Sequence, residues 1–194
     1  MIEFALILFA AGCFASVFLP CERVFSFVFS CIIHEAGHIL AAKGAGGRAE
    51  SIRPAPFRFS VAISGLSDYR DEIIVALAGP LFNFVSAICA ILIFKKDGYF
   101  FASVSFATGL LNLLPISVLD GGRTLEAALN IFLSPTLTTR GCAVVSDLIV
   151  FSIVLASAYR MLRVGDSFLI FLFSLLCMIG KGDNIQDGVN KRIF

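Results

Sequence analysis

The chain has no tryptophan, only two histidines and little charge: Asp, Glu, Lys and Arg make up 15% of its 194 residues, against about 25% in a typical soluble domain. That shortage argues against a soluble globular protein. The formal net charge is +1, and no basic patch is interleaved with aromatic residues, which removes nucleic acid as a partner. The six cysteines are scattered singly through apolar segments, without a C-x-x-C pair. A zinc knuckle or redox pair is thereby excluded, and the cysteines read as small hydrophobes. A basic n-region is also missing ahead of the apolar start, so Met1 to Leu19 reads as a first span and not as a cleaved leader. No repeat or low-complexity segment occurs.

What the chain has instead is apolar length. Hydrophobic residues make up 58% of the sequence, 21 of them phenylalanine, and they fall into runs of about 20 residues that suit membrane spans. The runs predict an all-α integral membrane protein with about six transmembrane helices, treated as a single domain over residues 1–194. After the first span, Val24 to Ala42 forms the second, Glu72 to Phe94 the third, Phe100 to Leu119 the fourth and Ala143 to Tyr159 the fifth. A thin sixth runs from about Val164 to Gly180. Lys43 to Arg70 is the longest polar stretch, broken by Gly44, Gly46, Gly47, Pro54 and Pro56. Within it Phe57 to Val61 alternates like a short strand, so a β strand or hairpin is expected there. Its edge could pair with an extended peptide, although a structural hairpin explains it equally well. Arg123 to Leu133 suits a short interfacial helix, and Ser134 to Arg140 a loop. The two glycines Gly121 and Gly122 are expected to end the fourth helix, delivering Asp120 at its terminus.

The second span carries His34-Glu35-Ala36-Gly37-His38, which holds both histidines of the chain. Residues four apart share a helical face, close enough to hold one metal ion, and Glu35 beside them can act as a general base. Ionisable groups at membrane depth are costly and mark function by default. A catalytic zinc takes three protein ligands and leaves one position open. His34 and His38 supply two. Asp120 is the best third, because it is acidic and helix-terminal; Glu126, Asp147 and Cys31 compete with it. Asn83 and Asn112 also need partners in hydrocarbon, either bracing helices or holding a substrate backbone and its developing oxyanion.

Charge predicts the topology. Ten Lys and Arg residues fall in the even-numbered loops and the C-terminal tail, and five in the odd-numbered loops. The positive-inside rule then puts both termini and the Lys43 to Arg70 loop in the cytoplasm. The histidines and Asp120 are expected at similar depth in the cytoplasmic half.

The set His34-Glu35-x-x-His38, Gly79-x-x-x-Asn83 and Asn112-x-x-Pro115-x-x-x-x-Asp120-Gly121 resembles the site-2 protease family of intramembrane zinc metalloproteases. The likeness covers the second to fourth spans, roughly residues 24–133, and is nearest to the short sporulation-type members that process a membrane-associated pro-sigma factor. It implies one zinc held by His34, His38 and Asp120, with Glu35 as catalytic glutamate. It further implies Asn83 and Asn112 beside the substrate, supported by Gly79, Pro115 and Gly121. The expected enzyme is a zinc metalloendopeptidase in a bacterial cell membrane that cuts a membrane-associated protein, such as a transcription or sigma factor, within or near the bilayer. No inserted PDZ domain and no CBS domain are expected, so a regulatory membrane protein or prior trimming of the substrate would exert control. The competing class is a metal-binding transporter or sensor without catalysis. Glu35 discriminates, since transport has no need of a base beside the ligands.

Overall fold

The computed structural model describes residues 21–55, 58–64 and 68–164. The expected first and sixth spans and the C-terminal tail lie outside them. Three described stretches are long and apolar enough to cross a membrane: Glu22–Gly44, Tyr69–Asn112 and Pro135–Arg160. Their outward faces carry large apolar side chains such as Phe25, Phe27, Ile32, Leu92, Phe151 and Leu155. Long helices whose outward faces are apolar require lipid or protein around them, and this is an integral membrane protein.

The described chain divides into two compact units. One consists of the residues up to Leu66 with Leu77–Asn112, the other of Ser67–Ala76 with the residues from Leu113 on. Among the described residues, the first unit opens with helix α1, Cys21–Gly44. Its C-terminus closes in a Schellman motif: the Gly47 N–H donates to the Ala42 carbonyl at 2.8 Å and the Gly46 N–H to that of Lys43 at 3.2 Å. Gly46 has φ of 77°, a left-handed conformation that glycine adopts without steric cost. Strands β1, Arg48–Ala55, and β2, Arg58–Ser64, follow as an antiparallel pair. Arg48 stands opposite Ser64 and Ala55 opposite Arg58, with one irregularity between Ala49 and Ser51.

Helix α2, Tyr69–Phe94, has Asp71 and Glu72 in its first turn, where carboxylates favour the helix dipole. A 3₁₀ turn at Lys95–Gly98 leads into helix α3, Tyr99–Asn112. The turn reverses the chain: Phe84 meets Phe106 at 5.2 Å between ring centroids, and Ser86 meets Ser105 at 2.8 Å between hydroxyls. Ala87, Ala90 and Ala102 form the buried seam between the two helices. Phe29 reaches Phe101 at 5.7 Å, tying α1 to α3.

The expected fourth span is shorter than its apolar run. Helix α3 stops at Asn112, seven residues before Leu119, because Pro115 lacks an N–H and disfavours helical backbone just before it. Residues 113–119 are instead irregular, with Ile116 and Leu119 turned into a core cluster with Val150. The expected end at Gly121 and Gly122 is also corrected, since both glycines lie inside a new helix α4, Asp120–Asn130. That helix replaces the expected Arg123 to Leu133 element, with its apolar face retained. The expected loop Ser134 to Arg140 is helical as well: helix α5 spans Pro135–Val164, and proline suits a first helical position, whose N–H needs no partner.

Candidate metal centre

Helix α1 presents one buried face through Ser26, Ser30, His34 and His38, four residues apart each time. Both histidines are 6% exposed. Their rings meet edge to face, 4.7 Å between centroids, and the two Nε2 atoms lie 3.1 Å apart. Two nitrogens of a tetrahedral zinc at about 2.0–2.1 Å stand roughly 3.3 Å from each other. The pair thus fits zinc in both donor type and separation. Glu35, the next residue along, is half-buried.

Close approach of α2 makes this pocket. A Cβ at Gly37 would stand 2.8 Å from the Ala78 carbonyl oxygen, and one at Gly79 would collide with His38 Nε2 and reach within 2.9 Å of His34 Cε1. Any other residue at position 79 would push the rings off their positions. Asn83, one turn further, is 0% exposed. Its Nδ2 lies 3.3 Å from His34 Nδ1, whereas its Oδ1 is buried with no hydrogen-bond partner among the described residues. The first unit therefore brings together His34, His38, Gly79 and Asn83. Asn112, at the end of α3, is half-buried and donates from Nδ2 to the Thr108 carbonyl at 3.0 Å.

Reading the sequence missed Ser86 and Ser105, whose hydroxyls both reach the Asn83 carbonyl, at 2.9 and 3.1 Å. The available signal was weak. A serine in an apolar span satisfies itself equally well on its own helix.

In the second unit, Asp120 is the first residue of α4 and 3% exposed. Gly121 and Gly122 let the helix start tightly: a Cβ on either would collide with the carbonyl of Leu113 or of Ile116. Half-buried Pro115 keeps that preceding segment out of a helix, and the Ser117 N–H donates to Ser146 Oγ on α5 at 3.0 Å. The competing ligands fare less well. Glu126 accepts a 2.7 Å hydrogen bond from Thr139, Asp147 is exposed, and Cys31 is only half-buried.

The comparisons with known proteins follow this geometry. Residues 98–156 match the model of Peptidase family M50. That stretch contains Asn112, Pro115, Asp120 and Gly121, and the resemblance to the site-2 protease family is borne out at the level of the family. Zinc metalloprotease MJ0392 of Methanocaldococcus jannaschii is 30% identical over 124 residues, covering 59% of this chain and 36% of that protein. The chain therefore spans about a third of the length of this curated relative. The solved structure of the site-2 protease from Methanocaldococcus jannaschii matches with a TM-score of 0.73 at 20% identity, over 92% of this chain and 86% of that one. The fold is the site-2 protease fold.

Proposed function

We propose that the protein is a zinc metalloendopeptidase that hydrolyses a peptide bond of a membrane-associated protein within or near the bilayer. The observation that carries this reading is the Nε2 pair of His34 and His38, buried 3.1 Å apart on an apolar helix with Glu35 adjacent. One zinc per chain would be held by these two nitrogens and by Asp120, the third ligand of the motif. A carboxylate as buried as that of Asp120 needs donors or a cation to offset its lost hydration. Zinc, when bound, supplies a Lewis acid that polarises water and the scissile carbonyl. Glu35 takes the proton from the attacking water and hands it to the leaving amine. Asn112 hydrogen-bonds the substrate backbone or the developing oxyanion. The hidden, His34-bound amide of Asn83 supports a role toward the histidine in place of the substrate contact expected for it.

The substrate must present an extended stretch, because a helix keeps its carbonyls engaged; the edge of the β1–β2 pair offers one place to hold it. Likeness to the sporulation-type motifs supports a membrane-associated pro-sigma or other transcription factor as substrate, and a membrane protein as regulator. The Lys and Arg distribution supports a multi-pass arrangement with both termini cytoplasmic.

The test compares membrane-anchored proteins in cells carrying intact protein or Glu35→Gln. A protein that accumulates uncut only with the variant identifies the substrate. If no membrane-anchored protein accumulates uncut with zinc-loaded Glu35→Gln, the mechanism is rejected. For orientation, Ser51→Cys and Asp97→Cys, the second at an exposed position beside the buried Gly98, are introduced separately into a background without native cysteines. Labelling of position 97 from the cytoplasm alone would reverse the topology.

A further inference from the structure

We infer that Asn83 is a positioning residue whose amide orientation decides which nitrogen of His34 carries the ring proton. This rests on the zinc reading proposed above. If both histidines offer Nε2 to one ion, the His34 proton must sit on Nδ1. Nδ1–H is then a donor, and the amide atom facing it has to accept. A carboxamide carries its acceptor and its donor on the same carbon, and a half turn about Cβ–Cγ exchanges their positions. In the arrangement found, Nδ2 faces His34 Nδ1 at 3.3 Å, and Oδ1 has no partner among the described residues. The half turn therefore breaks no hydrogen bond on the Oδ1 side.

Two states follow from one contact. With Oδ1 toward His34, Asn83 accepts from Nδ1–H and leaves the Nε2 lone pair free for the metal. With Nδ2 toward His34, Asn83 donates to Nδ1, Nε2 takes the proton, and that proton points to His38 Nε2 at 3.1 Å. The second arrangement competes with metal binding. The main chain of Asn83 is pinned meanwhile, because the hydroxyls of Ser86 and Ser105 both reach its carbonyl. Only the amide needs to move. Histidines that bind metal commonly donate their other ring N–H to an oxygen, and loss of that acceptor weakens metal binding by about 10- to 100-fold.

The experiment uses the full chain in detergent, as wild type, Asn83→Leu and Asn83→Asp. Zinc affinity is measured by competition with a chelator, and the ring protons are located by nitrogen NMR on protein labelled at histidine. Only His34 and His38 contribute to that spectrum. Asn83→Leu should bind zinc about 10- to 100-fold more weakly. Asn83→Asp, which can only accept, should bind zinc at least as tightly as wild type, and the zinc-loaded wild type should show His34 protonated at Nδ1. Equal affinity of wild type and Asn83→Leu, within twofold, would overturn the assignment. Should Asn83→Leu fail to fold, Asn83→Asp decides alone, and a hundredfold loss there rejects the role. A wild-type chain that takes up no zinc overturns the metal reading itself. Wild-type zinc binding with indifferent variants removes only Asn83.

Discussion

The two segments that carry the proposed ligands are built in opposite ways. His34 and His38 stand on an uninterrupted helix of 24 residues, where the helical repeat alone aligns residues four apart. Asp120 stands at the start of a separate 11-residue helix, after an irregular segment that Pro115 keeps from being helical. The first construction needs only a spacing. The second needs sterics, namely two glycines that allow the Leu113 and Ile116 carbonyls to approach. A regular helix thus advertises its chemistry in the sequence, whereas a helix break hides its geometry and leaves only residue types visible.

The largest expected effect comes from removing a ligand in either segment. His34→Ala and Asp120→Ala should each lower bound zinc from about one per chain to near zero after mild chelation, measured by elemental analysis. Full zinc retention in Asp120→Ala would separate the two segments and turn attention to Cys31 or Glu126. Next in size is Glu35→Gln, expected to leave zinc in place while lowering turnover by roughly 10²- to 10⁴-fold, the range for general acid–base groups. Zinc loss in that variant would make Glu35 a ligand instead of a base.

Asn112→Leu sharpens the comparison at the point where α3 ends. It should keep fold and zinc content while slowing cleavage by about a hundredfold, as for loss of an oxyanion donor. If Asn112 only braces its helix through Thr108, the loss is confined to about 0.6 kcal/mol of stability and turnover is unchanged. The smallest effect is expected from Gly121→Ala. The added methyl must displace the Leu113 carbonyl, costing about 1–3 kcal/mol as overpacking does. Thermal unfolding in detergent should register this as a fall of several degrees; an unchanged midpoint would show that the α4 start yields freely.

Much of this was legible beforehand. The apolar run that becomes α1, the four-residue spacing that puts His34 and His38 on one face of it, and the break between the third and fourth runs all follow from spacing and composition. The ends of elements were less so. The apolar run continues through Leu119, and hydropathy registers nothing when α3 stops at Asn112. Ile116 and Leu119 are equally apolar whether they face lipid or a core with Val150. Likewise, Pro135 reads as a breaker in a loop or as the first residue of a helix, and only the hydrogen bonds from Leu137 and Thr138 to the Ser134 carbonyl decide between them. Nor does any pattern announce that Asn83 would turn to His34, since an asparagine in hydrocarbon finds whichever partner packing supplies.

The early stop of α3 also bears on the bilayer. Fourteen residues rise only about 21 Å, against a hydrocarbon layer of about 30 Å. Hydrophobic mismatch of this size is met where lipids thin beside a short helix or where protein covers the remainder. Thinning would bring headgroups and water toward the end of α3, shortening the distance that water must travel through hydrocarbon to reach the peptide proposed to lie beside Asn112. On this view the thickness of the surrounding membrane becomes a variable of the proposed reaction, with longer-chain lipids slowing cleavage and shorter-chain lipids favouring it.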